Sequence, residues 1–356
     1  MSDKFCDRSA SVTPRPPPPA LLPWALDALG AGRSSAAPLQ VVAGDASSRR
    51  YFRARIDRRS YILAEAPPAT ENNEAFLARR DLLEEAGIRV PALFAADLER
   101  GFLLLEDLGD ELLLGRLDAS TVAGHYRDAC DILLQLAAVD LDAAALPEYD
   151  ARLLSEELGR FPTWFAGELL GCELDRGERE LCQALFGALC DSALAQPRVL
   201  VHRDFHSRNL MLDAAGALAL IDFQDAVAGP LTYDLVSLLR DCYVRWPAAQ
   251  VMDWAREHRR ALLRSGRADL PAQEEFLRAF DWMGLQRHLK VLGTFARLSL
   301  RDGKPGYLAD LPLVLAYTRE ILARYAPQEA AFAEFARWFE QRLDPAIAAQ
   351  PWAGAA

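Results

Sequence analysis

The stretch VLVHRDFHSRNLMLDAAGALALIDFQDAVAGPLTYDL, Val199 to Leu235, decides how the 356-residue chain is read. Its apolar runs Val199–Val201, Leu210–Leu212 and Leu218–Ile221 are too brief for helices and are bounded by polar or turn residues, so they predict three small strands. Asp213-Ala214-Ala215-Gly216 predicts a tight turn between the second and third, because Asp can bond its own backbone and Gly tolerates positive φ. Such a hairpin is expected to gather Asp204, Asn209 and Asp222 at one end of the strand pair. Two carboxylates and an amide there are hard-oxygen ligands plus a base, a set that suits magnesium and a phosphate ester. His202 and His206 also stand four apart, but a zinc couple at that spacing needs a helix, and the flanking pattern is strand and loop.

The spacing narrows the chemistry further. His202-Arg203-Asp204, then Asn209 five positions on, then Asp222-Phe223 after a short strand, with Tyr233-Asp234 opening the next helical pattern, resembles the catalytic and metal loops of protein kinases. The chain resembles the protein-kinase-like phosphotransferases, in the branch of the aminoglycoside phosphotransferases. That resemblance implies an α+β, bilobal protein-kinase-like fold, with a small five-stranded antiparallel sheet lobe and a larger, mainly helical lobe. It implies ATP and Mg2+ as cofactors, Asp204 as the base that orients the acceptor hydroxyl, and Asn209 and Asp222 as metal ligands. His202 is expected to buttress the catalytic loop, and Asp234 to accept hydrogen bonds from its backbone.

Upstream, Leu39–Ala43, Tyr51–Ile56 and Tyr61–Glu65 read as strands, Glu74–Ala86 as an amphipathic helix stopped by Gly87, and Leu93–Ala96 and Phe102–Leu105 as two more strands. The loop from Gly44 to Arg50 carries small and hydroxyl residues that can lay amides and hydroxyls against phosphates. The resemblance makes it the nucleotide-covering loop, with Asp45, Ser47, Ser48 and Arg49 as nucleotide-binding residues, although no G-x-G-x-x-G is present. It makes Glu106-Asp107-Leu108-Gly109 the hinge, where the backbone of Glu106 and Leu108 would bond a purine edge. One departure stands out: Ala64 occupies the place of the strand lysine that kinases use to hold phosphates. Arg49, Arg50 and Arg53 are the nearby cations able to clamp phosphate oxygens.

The expected organisation is a Pro-rich, unpacked tail over 1–20, a nucleotide-binding lobe over 21–109 beginning with a helix at Leu21–Leu29, and a helical catalytic and substrate lobe over 110–356. Helical patterns run over Val122–Val139, Glu178–Ala195, Thr232–Arg240 with Thr232 as cap, Ala249–Leu263, Pro271–Leu292, Tyr307–Tyr325 and Glu329–Leu343. Phe161, Trp164 and Phe165 read as core aromatics rather than a sugar platform.

With 51% hydrophobic residues the chain can bury a large core, and its net charge of −11 gives no footprint for nucleic acid. Six cysteines without a CxxC pair read as buried, reduced thiols. No apolar run has membrane-spanning length and no secretion signal is evident. The chain is therefore expected to be cytoplasmic and monomeric, with no membrane or nucleic-acid partner.

For the acceptor, the sequence resembles the anomeric kinases of N-acetylmuramate and N-acetylglucosamine. The likeness rests on HRDFHSRNLM, on Ile221–Tyr243, on Ala66-Pro67-Pro68, on DLERGFLLLEDLG, and above all on QRHLKVLGTFARLSLRDGKPGYLADLP from Gln286 to Pro312. It implies an amino-sugar substrate phosphorylated at the C1 hydroxyl in peptidoglycan recycling. Arg208 could meet the γ-phosphate or an anionic substrate, or pair with a surface carboxylate. Asp225 could face the acceptor or cap the next turn. For a substrate carboxylate the candidate cations are Arg208, Arg287, His288, Lys290, Arg297 and Arg301. A kinase of an aminoglycoside, choline or homoserine, and a nucleotide-binding regulator without turnover, are the rival readings.

Overall fold

The computed structural model describes residues 15–32, 36–42 and 48–354. Asp45 and Ser47 lie outside the described residues, as do Gly44 and most of the Pro-rich tail. In chain order the first elements are α1 (Leu21–Leu29), β1 (Gln40–Val42), β2 (Arg50–Ile56), β3 (Arg59–Glu65), α2 (Asn73–Glu85), β4 (Leu93–Asp97) and β5 (Phe102–Glu106). Next come α3 (Val122–Ala138), α4 (Leu141–Ala144), α5 (Ala151–Leu158), α6 (Arg176–Leu194), β6 (Arg198–Val201), β7 (Leu210–Leu212), β8 (Leu218–Leu220) and β9 (Val227–Pro230). The chain closes with α7 (Tyr233–Leu239), α8 (Ala248–Arg264), α9 (Gln273–Leu300), α10 (Leu311–Tyr325), α11 (Ala330–Trp338) and α12 (Asp344–Ala348). Among the described residues no helix is long and apolar enough to cross a membrane.

The described residues form two compact units. One comprises the described part of 11–122 together with 208–225; the other comprises 123–207 and 226–354. In the first, an antiparallel sheet of order β1-β2-β3-β5-β4 forms because β2 alternates. Phe52, Ala54 and Ile56 project to one face, where they meet Tyr61, Leu63, Phe102 and Leu104 and the Leu21, Ala25 and Leu26 side of α1. The interior strand β5 is apolar on both faces, so Phe102 to Leu105 are all buried. Helix α2 turns Phe76, Arg80 and Leu83 inward and is capped by Asn72, whose side chain accepts from Ala75 N.

The β7–β8 hairpin belongs to this sheet-bearing unit although it lies more than eighty residues downstream. Leu210 pairs with Leu220 and Leu212 with Leu218. Leu212 N donates to the Glu111 carbonyl and Leu220 N to the Arg89 carbonyl, both at 2.8 Å. The turn is built as its residues dictate. Asp213 Oδ1 accepts from Ala215 N at 2.9 Å and Ala217 N at 3.0 Å, and Gly216 takes φ +82°.

The second unit packs its helices around α9, most of whose residues are buried. The helix continues eight residues past Leu292, the end expected of it, and runs through Gly293. Gly293 serves as a contact: a Cβ there would lie 2.3 Å from the Arg160 carbonyl carbon. Phe161 and Phe165, in a π-helical segment over Phe161–Leu169, are fully buried, in keeping with a core role. Residues 305–310 form a 3-10 turn before α10, and Phe339–Leu343 a π turn after α11. Thr232 does not cap α7; its hydroxyl donates to Gln196 Oε1 at 2.8 Å instead. The five described cysteines are free thiols, four of them buried.

Candidate active site

In the helical unit, β6 pairs antiparallel with β9, from Arg198 opposite Pro230 to Val201 opposite Val227, and delivers the chain into the loop 202–207. Arg203 takes φ +76°, a conformation costly for a side chain with a Cβ, so the surroundings must hold it there. Asp234, at the start of α7, does so from one side. Its Oδ2 accepts from His202 N at 2.6 Å and its Oδ1 from Arg203 N at 3.1 Å. Glu157 of α5, fully buried, accepts from Arg203 Nη2 at 2.6 Å. At the far end of the loop, Asp241 Oδ2 accepts from Ser207 N at 2.9 Å and from its hydroxyl.

His202 is buried in this loop, and its Nδ1 accepts from Asp204 N at 3.3 Å, the buttress expected of it. Its ring meets Phe205 edge-on, whereas His206 meets Tyr243, so the two imidazoles address different neighbours on a non-helical segment.

Asp204 is half-buried, and burial alone would raise its carboxyl; Lys290, the His206 ring, Arg287 and the His202 ring outweigh that and hold it down at about 2. The base is ionised throughout the neutral range. Burial pushes Asp234 the other way, up to about 7, against the two amides that favour its charged form. Glu157 is also desolvated, yet Lys290 and Arg203 keep it at about 2. Lys290 Nζ lies 3.0 Å from Glu157 Oε1 and donates to the Tyr233 hydroxyl at 2.9 Å, while Tyr149 donates its hydroxyl to Glu157 Oε2.

In the sheet-bearing unit, the ends of β7 and β8 carry Asn209 and Asp222. Asn209 Nδ2 approaches Asp222 Oδ2 at 3.5 Å, which leaves the amide oxygen beside a carboxylate. Asp222 has φ +64°, and its Oδ1 accepts from Gln224 Nε2 at 2.7 Å. An amide oxygen and a carboxylate are the donors magnesium takes when phosphate oxygens and waters complete its shell, so these two residues fit that ion. Among the described residues no group of three or more His, Cys, Asp or Glu forms a fuller cage.

Ala64 is buried opposite Tyr51 of β2. Tyr51 is raised first by burial, with Arg49 acting against that and Asp222 and Glu71 adding to it, so these charges share its neighbourhood. Arg49, only 2% exposed, has Nη2 3.5 Å from Glu71 Oε2 and 3.4 Å from Asn73 Oδ1, and its guanidinium lies 4.4 Å over the Phe76 ring. Phe76 in turn stacks on Phe223, the neighbour of Asp222, at 5.0 Å. Arg50 and Arg53 are committed elsewhere, to Glu65 and to Asp107 with Asp110. Ser48 Oγ donates to Glu71 Oε1 at 2.5 Å and lies 2.8 Å from the Thr70 hydroxyl.

At the end of β5, Glu106 N donates to the Ala92 carbonyl at 2.8 Å and the Glu106 side chain pairs with Arg89, so a hinge bond to a purine would come from its carbonyl. Leu108 is buried two residues on. Arg208 is half-buried and Asp225 exposed. Sequence reasoning missed Glu157, Asp241 and Glu71. All three are carboxylates whose partners lie far away along the chain, and no local pattern marks them.

A family model described as the phosphotransferase enzyme family matches residues 38–277. A protein of Pseudomonas putida named N-acetylmuramate/N-acetylglucosamine kinase is 44% identical over 293 residues, 82% of this chain and 86% of that protein. One of the same name from Pseudomonas aeruginosa is 42% identical over 303 residues, 85% of this chain and 89% of that protein. Among solved structures, choline kinase from Streptococcus pneumoniae superposes with a TM-score of 0.58 at 15% identity, over 85% of this chain and 98% of that one. At that identity the likeness shows the protein-kinase-like fold alone.

Proposed function

The chain belongs to the phosphotransferase enzyme family, and on that premise we propose that it transfers the γ-phosphoryl group of ATP to the anomeric C1 hydroxyl of N-acetylmuramate and N-acetylglucosamine. The reaction would take place in the cytoplasm and return the sugar 1-phosphates to cell-wall synthesis. The observation that carries the reading is the fixed, ionised Asp204 in a loop held by three buried acids, within a chain similar over more than four-fifths of its length to kinases of these sugars.

Phosphoryl transfer asks a protein for positioning and charge neutralisation more than covalent chemistry. Asp204 would accept the proton of the attacking hydroxyl. A hemiacetal hydroxyl is more acidic than an ordinary alcohol, so an ionised carboxylate in hydrogen-bond reach is chemically adequate to take its proton. Asn209 and Asp222 would hold magnesium, which when bound offsets charge on the nucleotide's phosphate oxygens. Arg49, braced by Glu71 and the Phe76 ring, would take the phosphate-holding part of the missing lysine, with Asp45, Ser47 and Ser48 on the same loop. The Glu106 carbonyl and Leu108 amide would read the purine edge, and Arg208 and Asp225 would face the transferred group or the acceptor.

The test is an acceptor panel of N-acetylmuramate, N-acetylglucosamine, choline and an aminoglycoside with ATP and magnesium, the product assigned by phosphorus NMR. Sugar-dependent ATP consumption with phosphate on C1 is expected. Phosphate on C6 would overturn the anomeric assignment, and turnover only with choline or the aminoglycoside would overturn the sugar assignment.

A further inference from the structure

Helix α9 carries Arg287, Lys290, Thr294 and Arg297, with Arg301 directly after its end, at intervals of three and four, so they line one stripe. Helix α5 and the residues after it meet that stripe in two successive rungs. In the first, Glu157 lies between Lys290 and Arg203, so charge is largely balanced; Lys290 and Arg287 are also the cations that act on Asp204. In the second, three residues further along α5 and one turn further along α9, Arg160 Nη1 donates to Thr294 Oγ1 at 3.2 Å. Arg297, three residues beyond Thr294 on the same stripe of α9, stands beside this rung, and the charge of Arg160 acts against its own.

No carboxylate neutralises this second rung. Among the described residues neither Arg160 nor Arg297 has an ion-pair partner, and Arg297 Nε is buried without a hydrogen bond. Asp302, the acid whose charge reaches Arg297, is taken by Arg301 at 2.6 Å. The two half-buried guanidiniums bring positive charge to this rung that no acid balances, which favours an anion there. Arg forks match a carboxylate bidentately. Thr294 lies one helical turn, roughly 6 Å, from Lys290, about the width of a sugar ring.

We propose that Arg160 and Arg297, flanked by Thr294, form a carboxylate subsite for the acceptor, holding the acid arm of an N-acetyl sugar acid while its anomeric hydroxyl is presented to Asp204. This deepens the sugar-kinase reading and rests on it. The subsite sets preference for the acidic over the neutral amino sugar and leaves the phosphoryl-transfer groups untouched.

The experiment is steady-state kinetics of wild type, Arg160→Met, Arg297→Met and Arg297→Lys with N-acetylmuramate and N-acetylglucosamine, with melting temperatures recorded alongside. Each Met variant should lower the ratio of kcat/KM for the acid over the neutral sugar by about tenfold to a hundredfold, the size of a charge-assisted bond, mainly through KM. Arg297→Lys should recover part of the ratio. In wild type, KM for the acid should also rise with added salt more steeply than KM for the neutral sugar, a readout that needs no variant. Losses equal on both sugars, or a wild type that phosphorylates only the neutral sugar, overturn the subsite and leave the kinase reading standing. A wild type that phosphorylates neither sugar overturns the kinase reading, and the subsite falls with it.

Discussion

The loop 202–207 and the loop that begins at Asp222 each contain a non-glycine residue at positive φ, Arg203 and Asp222, yet they are held by different means. The first is gripped by buried acids: Asp234 on two amides, Glu157 on the guanidinium, Asp241 on Ser207. The second is approached by side-chain amides, from Gln224 on one oxygen and Asn209 on the other. A base must stay in one place and one protonation state, and a network of buried charges secures both. A ligand for a cation must keep its carboxylate oxygens compatible with an incoming charge, and neutral amides orient it without saturating it.

That contrast can be broken by variants, and the largest effect is expected at the base. Asp204→Asn should lower kcat by roughly a hundredfold to ten-thousandfold with the fold intact, as circular dichroism and single-turnover assays would show. Undiminished turnover would remove Asp204 from the chemistry. Next, Glu157→Gln leaves Arg203 and Lys290 buried without their shared anion, and should cost about 3–5 kcal/mol in a urea titration. A loss below about 1 kcal/mol would mean that the first loop is not held by charge after all.

The sheet-bearing unit should respond in binding more than in folding. Arg49→Met should raise KM for ATP by about tenfold to a hundredfold, the value of a charge-assisted bond to phosphate. An unchanged KM would return the question of the absent lysine to Arg50 or Arg53.

The smallest effect concerns pH. Asp234 has its carboxyl raised from 3.8 to about 7, so the native state keeps a proton that the unfolded chain releases. Stability should therefore decline as pH rises from about 4 to 7, and Asp234→Asn should flatten that decline in urea midpoints measured across the window. Asp204 and Glu157, both depressed to about 2, contribute in the opposite sense: their share is complete above about 4 and is lost as pH falls towards 2.

Much of this was legible in the chain because it is local. The alternation of Arg50–Ile56, the Asn72 cap with Gly87 beyond it, and the Asp213–Gly216 turn each carry their own signal. The strand Val227–Pro230 was not foreseen, since Ala-Gly-Pro reads as a turn and its strand character exists only through pairing with Arg198–Val201. Spacing alone marked Asp204, Asn209 and Asp222 as candidates and Asp234 as a backbone acceptor, but it gave no sign of Glu157 and Asp241, which hold the Asp204 loop. Glu157 sits 46 positions before Arg203, and a buried ion pair leaves no periodic trace when its partners come from different elements.

Gly293 has a consequence for the stripe on α9. Its missing methyl lets the helix lie directly on the Arg160 and Phe161 backbone, and that close approach helps to set the rotation at which Lys290 meets Glu157 and Thr294 meets Arg160. It works like an index mark on a dial. An alanine there would turn the dial by forcing the two segments apart, so one methyl group, itself nowhere near the chemistry, would mistune the anchoring of the base and the recognition of the acid arm together.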